Sequence, residues 1–264
     1  MKVLFVLLLF ILMRAVAFIR KEDKNIDRDN PYIHPEAVEV LPEDMRGFVT
    51  SSTARDKGNR TLYEILLKPT LDVILSFFGL VLLSPVFLAI ILAIKIDDPG
   101  PVFFKQKRVG KDKRFFLLHK FRSMKMSTPH DMPTHLLANP EQYITRVGKF
   151  LRRSSLDELP QIWDIFRGKM SVVGPRPALW NQADLIAERD RWGANEVMPG
   201  LTGLAQISGR DVLDIKDKAE LDGLYTRILR KNNSSGMMVD VKCFFGTLLP
   251  VLKSEGIVEG SKIG

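Results

Sequence analysis

Two apolar stretches dominate the hydropathy pattern of the chain, and the remaining residues are mostly polar and basic. The first covers residues 3–19 and is interrupted only by Arg14. The second covers residues 71–94, with Asp72 as its one charged residue. An apolar helix needs about 20 residues to cross the hydrocarbon core of a bilayer. Both stretches therefore predict contact with a membrane.

The first stretch predicts an N-terminal membrane anchor over residues 1–20. Basic residues are more numerous after it than before it, which places the following chain in the cytoplasm by the positive-inside rule. Residues 15–17, Ala-Val-Ala, also resemble a signal-peptidase site, so a cleaved signal peptide is the alternative. Residues 21–60 carry many charges and little hydrophobic periodicity, which is typical of a linker.

The second stretch predicts a re-entrant membrane helix over about residues 69–95, broken at Ser84 and Pro85. Basic residues flank it on both sides, so both ends prefer the cytoplasmic face. Pro85 removes a helix hydrogen bond, and Ser84 can bond to a carbonyl that is left free. A kinked helix that spans the whole bilayer is the alternative. Lys68 and Asp72, four residues apart, predict an interfacial ion pair that anchors the helix entrance.

The rest of the chain mixes short strand-like and helical patterns, so the predicted fold class is α+β and mainly helical. Residues 102–109 and 114–121, with a glycine-containing turn between them, predict a β-hairpin. Residues 204–207 predict a short strand, and residues 218–231 predict a helix. Residues 237–253 are apolar and amphipathic, which predicts a helix that lies at the membrane interface.

Composition narrows the class of ligand. The chain has 264 residues, a formal net charge of +8 and a pI of about 9.5. This balance suits anionic lipid headgroups, nucleic acid or phosphorylated substrates, and it does not choose among them. The single cysteine, Cys243, excludes an internal disulfide framework, and its apolar neighbours predict a buried thiol. Residues 61–264 are long enough for one domain of ordinary size, which the flanking basic residues place on the cytoplasmic face.

The candidate chemistry lies within residues 151–177, where carboxylates and arginines are close in sequence. Asp157 and Glu158 follow Arg152 closely, and Arg176 lies between two prolines. Arginines hold phosphate oxygens, and a carboxylate can attack phosphorus or hold a metal ion. Beside a membrane segment, this pattern indicates chemistry on a phosphate group at a lipid surface.

A structural explanation competes for the two carboxylates. Residues 155–166 predict a short amphipathic helix, and Ser155 with Glu158 fits a capping box at its start. A helix N-terminus also binds anions, so both explanations can hold together. Adjacent residues on a helix point about 100° apart, so Asp157 and Glu158 are expected to have different roles.

Several motifs, in order along residues 61–250, resemble those of the bacterial sugar transferase family, the monotopic phosphoglycosyl transferases. The motifs are Lys68 and Asp72 before the Ser84-Pro85 break, residues 100–104 with Gln106, residues 120–124, residues 152–160, residues 174–177 and residues 199–210. The sequence departs from the family pattern at residues 69–70 and at Ala205. The change at Ala205 bears on the fit of the sugar or nucleotide.

The resemblance implies transfer of a sugar-1-phosphate from a UDP-sugar to undecaprenyl phosphate, with release of UMP. Asp157 is then the nucleophile that forms an aspartyl phosphosugar, and Glu158 assists as a metal ligand or in proton transfer. Asp157 and Glu158 together would hold Mg²⁺. The implied phosphate-binding residues are Lys120, Arg122, Arg152, Arg176 and Arg210. The implied location is the cytoplasmic face of the bacterial inner membrane, in a pathway that makes exopolysaccharide, capsule or lipopolysaccharide.

Two other functions stay open from the sequence. A glycosyltransferase that moves the sugar without its phosphate would release UDP in place of UMP. A non-enzymatic membrane adaptor would bind lipid or nucleic acid through its basic surface, but it does not explain Asp157, Glu158 and Arg176 together. The expected partners are the UDP-sugar, undecaprenyl phosphate and membrane lipids, without nucleic acid. The oligomeric state is open, a homodimer included.

Overall fold

The structure is a computed structural model that describes residues 60–128, 140–209 and 213–253. The predicted N-terminal anchor, nearly all of the predicted linker and Arg210 lie outside these residues. The described part of the chain is mostly helical and contains four short strands in two small sheets. The predicted α+β class, mainly helical with a β-hairpin, is confirmed.

Two apolar helices follow each other at the start of the described chain. Their bounds are a π-helical turn at Tyr63–Leu67 that continues into α1 at Lys68–Leu82, and then α2 at Ser84–Asp97. The break falls at Leu83, where the Ser84-Pro85 pair predicts it, because Pro85 has no N–H to donate. The Ser84 hydroxyl donates to the Val81 carbonyl at 2.8 Å and so satisfies an acceptor at the end of α1.

Lys68 and Asp72 are buried inside the protein, and they do not pair with each other. Lys68 Nζ donates to Asp240 Oδ2 at 2.6 Å. Asp72 accepts hydrogen bonds from the Ser171 hydroxyl at 2.7 Å and from the Val172 N–H at 2.9 Å. The predicted interfacial ion pair is therefore wrong, because partners in the folded domain satisfy both side chains. The two residues connect α1 to the domain and are withdrawn from any lipid headgroup.

The exit of α2 is bound to the same domain. Asp97 accepts a hydrogen bond from the Val147 N–H at 2.9 Å. The buried Arg122 forms an ion pair with Asp98, and its Nε donates to the Pro101 carbonyl at 2.7 Å. One domain thus holds both ends of the helix pair, while the middle of the pair exposes leucine, valine and phenylalanine side chains.

The predicted hairpin is confirmed. Strand β1, Phe103–Val109, pairs antiparallel with β2, Phe115–Phe121. Alternate side chains of β2 face inward, and Phe116 and Leu118 pack there in a buried cluster. Phe121 lies at the other end of the strand and packs in the cluster that includes α2. The hairpin therefore has one end against the apolar helices and its turn at the opposite end.

The remaining elements form the body of the domain. They are α3 (Arg146–Arg153), α4 (Gln161–Phe166), β3 (Ser171–Val173), α5 (Ala183–Trp192), β4 (Gly200–Thr202), α6 (Leu204–Ser208), α7 (Ile215–Lys231) and α8 (Asn233–Lys253), with 3₁₀ turns at Lys111–Lys113, Pro140–Tyr143, Leu156–Glu158 and Ala194–Glu196. Strands β3 and β4 pair in parallel. The predicted strand at residues 204–207 is wrong, because those residues form α6 and the strand β4 lies just before them. The prediction of a helix at residues 218–231 is confirmed by α7, and α8 contains residues 237–253.

Helices α7 and α8 provide much of the core. Tyr225 and Leu229 of α7 pack with Cys243 of α8. Cys243 is fully buried, which confirms the predicted buried thiol. The start of α7 is fixed by Asp214, whose side chain accepts a hydrogen bond from the Asp217 N–H at 2.8 Å, as is common at helix N-termini.

Candidate active site

The two candidate carboxylates lie on a tight turn between α3 and α4. Ser155 has a left-handed conformation with φ of 56°, and the 3₁₀ turn Leu156–Glu158 follows it. The helix predicted over residues 155–166 is therefore interrupted, and α4 begins only at Gln161. The predicted capping box is also wrong, because Ser155 makes no side-chain cap and Glu158 bonds to other side chains.

Glu158 is held between two cations. Lys120 Nζ donates to Glu158 Oε1 at 2.8 Å, and both terminal nitrogens of Arg176 donate to the same carboxylate, one of them to Oε2 at 3.1 Å. Burial by itself disfavours the charged form of the Glu158 carboxyl group. Arg176 and Lys120 outweigh burial and hold the pKa of Glu158 well below its ordinary value. Glu158 therefore stays ionised and fixes the position of both cations.

Asp157 has a different environment from its neighbour. Its carboxylate accepts no hydrogen bond from any residue that the structure describes. Burial raises the pKa of Asp157, Lys120 opposes that rise, and the charge of Glu158 adds to it. A carboxylate with a raised pKa and no bound donor is more basic, and therefore a better nucleophile, than one that is held in an ion pair.

The loop of residues 174–177 positions Arg176 directly after β3. Gly174 has no room for a side chain, because a Cβ there would lie 2.3 Å from a backbone oxygen just before β4. The carbonyl of Arg176 accepts a hydrogen bond from Arg189 Nη2 at 2.9 Å, and Arg189 forms a buried ion pair with Asp222 at 2.6 Å. The backbone is thus fixed. The side chain of Arg176 is 42% exposed, so it can reach a ligand.

Three of the predicted phosphate-binding residues, Lys120, Arg152 and Arg176, lie around the two carboxylates. Arg152 Nε donates to the Ser123 hydroxyl at 3.1 Å, and its positive charge acts on Asp157. The three cations share this site although they come from three different elements. Their contact with phosphate stays a prediction.

One other predicted phosphate contact, Arg122, does not join this group. Arg122 is buried at the end of α2, where its guanidinium is occupied by Asp98 and the Pro101 carbonyl. The prediction for Arg122 is therefore corrected to a structural ion pair. Arg210 lies outside the described residues.

Sequence reasoning missed Arg108. Its Nε and Nη2 donate to Gln106 Oε1 at 3.1 and 2.6 Å, and its Nη1 donates to the Pro177 carbonyl at 2.9 Å. Burial lowers the pKa of Arg108 to about 10, and the charge of Arg176 acts in the same direction. Strand alternation was the available signal, because Arg108 and Lys120 occupy the same face of the hairpin.

The charge of the site suits an anionic ligand that carries a divalent cation. Mg²⁺ commonly binds one or two carboxylates and completes its shell with water and substrate phosphates. In residues 60–128, 140–209 and 213–253 no group of three or more His, Cys, Asp or Glu side chains comes together. The carboxylate of Asp157 has no bound donor, and Oε2 of Glu158 accepts one N–H from Arg176, so both retain lone pairs. The two residues fit such a Mg²⁺ site, and the ion itself stays a prediction.

Comparison with known proteins identifies the protein family to which the chain belongs. The family model described as "Bacterial sugar transferase" matches residues 63–254. The chain is 35% identical over 199 residues to an uncharacterized sugar transferase, EpsL, of Bacillus subtilis (strain 168), and the match covers 75% of this chain and 94% of the relative. It is 34% identical over 203 residues to the exopolysaccharide production protein ExoY of Rhizobium meliloti (strain 1021), covering 72% of this chain and 87% of the relative.

A longer relative is similar over a shorter stretch. The UDP-glucose:undecaprenyl-phosphate glucose-1-phosphate transferase of Xanthomonas campestris pv. campestris is 42% identical over 153 residues. The match covers 57% of this chain and 32% of that relative. The chain thus spans about a third of the length of that transferase.

Proposed function

Because the chain belongs to the bacterial sugar transferase family, we propose that it transfers a sugar-1-phosphate from a UDP-sugar to undecaprenyl phosphate and releases UMP. The name of the Xanthomonas relative supports this pair of substrates. The observation that carries the proposal is the environment of Asp157. Its carboxylate accepts no hydrogen bond from the described residues, lies among cations, and belongs to a domain bound to two apolar helices.

In the first step, an oxygen of Asp157 attacks the sugar-bearing phosphorus of the donor. A bond from the carboxylate to phosphorus forms, the bond from phosphorus to the bridging oxygen breaks, and UMP leaves with the bonding electrons. The carboxylate and the phosphates repel each other, so Lys120 and Arg176 must neutralise the phosphate oxygens as they approach. Mg²⁺ bound at Asp157 and Glu158 would supply further neutralisation.

In the second step, an oxygen of undecaprenyl phosphate attacks the same phosphorus. The bond to Asp157 breaks, the carboxylate is regenerated, and the sugar remains on the lipid through a diphosphate. The acceptor phosphate is largely ionised at neutral pH, so the step needs no strong general base. Glu158 keeps Lys120 and Arg176 in place through both steps. The product is the first lipid-linked intermediate of a surface glycan such as an exopolysaccharide.

We place the apolar helices in one leaflet of the bacterial inner membrane, with the domain on the cytoplasmic face. The helix Tyr63–Leu82 is 20 residues long and apolar enough to cross a membrane, and Leu82 at its end is 75% exposed. The attachment of both helix ends to one domain supports re-entry, because a full span would carry one end across the bilayer. Met238 and Phe245 of α8 form a second exposed apolar surface that suits the membrane interface.

Cysteine labelling tests this topology. Leu62→Cys places a thiol before α1, and Lys105→Cys places one after α2, at positions that are both exposed. The native Cys243 is buried and serves as an unreactive background. In spheroplasts, an impermeant maleimide is expected to label neither variant, and after lysis it is expected to label both. A helix that crosses the bilayer would expose one of the two before lysis.

The proposed function is tested by nucleotide release from a panel of UDP-sugars. The detergent-solubilised full chain is incubated with each sugar, undecaprenyl phosphate and Mg²⁺, and the released nucleotide is identified by chromatography. UMP that depends on the lipid acceptor is the expected product, and the productive sugar names the donor. Release of UDP would mean that the sugar moves alone and that Asp157 accepts no phosphoryl group. An absence of release across the panel, with strong salt-dependent binding to nucleic acid, would favour the adaptor.

A further inference from the structure

Arg108 is a partly buried guanidinium whose hydrogen bonds go only to uncharged acceptors. In the described chain its partners are the Gln106 amide oxygen and the Pro177 carbonyl, and no carboxylate pairs with it. Arg176 and Glu158 lie close enough to influence its charge. Buried charges in proteins are normally paired with an opposite charge. The missing partner indicates an anion that arrives with a ligand.

The hairpin register shows where such an anion would lie. Phe104 pairs with Lys120, and Arg108 pairs with Phe116 four positions further along the same face. At about 3.4 Å per residue, these two cross-strand residue pairs are separated by about 14 Å along the hairpin. Phe121, next to Lys120, packs in the cluster that includes α2. Lys120 therefore lies at the end near the apolar helices, and Arg108 lies toward the turn.

Glu158 lies between Lys120, Arg176 and Arg108, which together form a row of cations. It accepts a hydrogen bond from Lys120 and two from Arg176, and its charge acts on Arg108. The side chains of Lys120 and Arg108 both approach Glu158, so their charged ends are closer together than their backbone positions. A ligand with two adjacent phosphates can therefore contact both cations, whereas a single phosphate contacts one of them. The donor of the proposed reaction carries two phosphates joined by one bridging oxygen.

We propose that the row forms two phosphate subsites, in which Arg108 binds the nucleotide phosphate that leaves as UMP and Lys120 serves the phosphate nearer the membrane. This inference rests on the proposed function. A water-soluble nucleotide must leave away from the bilayer, whereas the phosphate of a polyprenyl lipid is tethered at its surface. Arg108 then holds the negative charge that develops on UMP when the bond to the bridging oxygen breaks. The lipid phosphate can enter from the Lys120 end after UMP has left.

A comparison of UMP with uridine tests the assignment, because the two ligands differ only by the phosphate. The wild-type full chain, Arg108→Gln and the control Lys105→Gln are titrated with each ligand, and Kd is measured. Lys105 lies on the same strand, is exposed and faces the opposite side of the hairpin. Arg108→Gln is expected to weaken UMP binding about 10- to 100-fold, as expected for a charge-assisted hydrogen bond, and to leave uridine binding unchanged. The control is expected to change neither.

Two results would overturn the assignment. An equal loss of UMP and uridine affinity in Arg108→Gln would mean that Arg108 only shapes the loop at Pro177. A raised KM for undecaprenyl phosphate with unchanged UMP affinity would place the lipid phosphate at Arg108 instead. The proposed function fails separately, because release of UDP in place of UMP by the wild-type chain would refute it whatever the effect of Arg108→Gln on UMP affinity.

Discussion

Asp157→Asn is expected to lower turnover at least about 1,000-fold and to abolish the covalent phosphosugar adduct, while UMP still binds. Asparagine has almost the same shape as aspartate but no nucleophilic carboxylate oxygen, so the first step loses its attacking group. The cations that we propose to hold phosphate are unchanged, because Glu158 and not Asp157 fixes Lys120 and Arg176. The measurements are the rate of UMP release and the intact mass of protein incubated with the donor sugar.

The control for this variant is Asp217→Asn, which makes the same chemical change at an exposed position on the first turn of α7. It is expected to keep wild-type turnover and to form the adduct. If Asp157→Asn retained more than a few per cent of turnover, or still gained the mass of a phosphosugar, the covalent mechanism through Asp157 would be wrong. A loss of UMP binding together with turnover would instead show that the asparagine disturbs the site.

Local sequence signals predicted the elements whose structure depends on neighbouring residues. The helix break follows from Ser84 and Pro85, and the hairpin follows from alternating residues around a glycine turn, because each signal lies within a few positions. The strand predicted at residues 204–207 was wrong because the local signal there was ambiguous. A short apolar run after a glycine turn fits a strand or a helix equally well, and packing in the folded domain decides between them.

Side-chain partners that are far apart in the chain could not be predicted from the sequence. The four-residue spacing of Lys68 and Asp72 indicated a local ion pair, but Lys68 bonds instead to Asp240, which is 172 positions away. Arg108 in β1 and Arg122 just after β2 show the same limit. Arg122 is occupied by an aspartate 24 positions earlier, whereas Arg108 has no carboxylate partner among the described residues. Neither contact could be read without the fold.

Asp240→Ala is expected to lower the free energy of unfolding by about 3–5 kcal/mol, the usual cost of breaking a buried ion pair. Lys68 would keep a buried positive charge without its partner at 2.6 Å. The hydroxyls of Tyr63 and Tyr225, which donate to Asp240 at 2.7 and 2.8 Å, would lose an acceptor as well. Denaturation of the detergent-solubilised full chain by urea, followed by tryptophan fluorescence, measures the change.

The double variant Lys68→Met with Asp240→Leu separates charge from packing. Removing both charges and filling the space with apolar atoms is expected to recover most of the lost stability, because no unpaired charge remains. Asp217→Ala, at an exposed site, is expected to change stability by less than about 0.5 kcal/mol. A loss below about 1 kcal/mol in Asp240→Ala would mean that water reaches Lys68. Because this network joins α1 to α7 and α8, its loss is also expected to free the entrance of the apolar helix from the domain that carries Asp157.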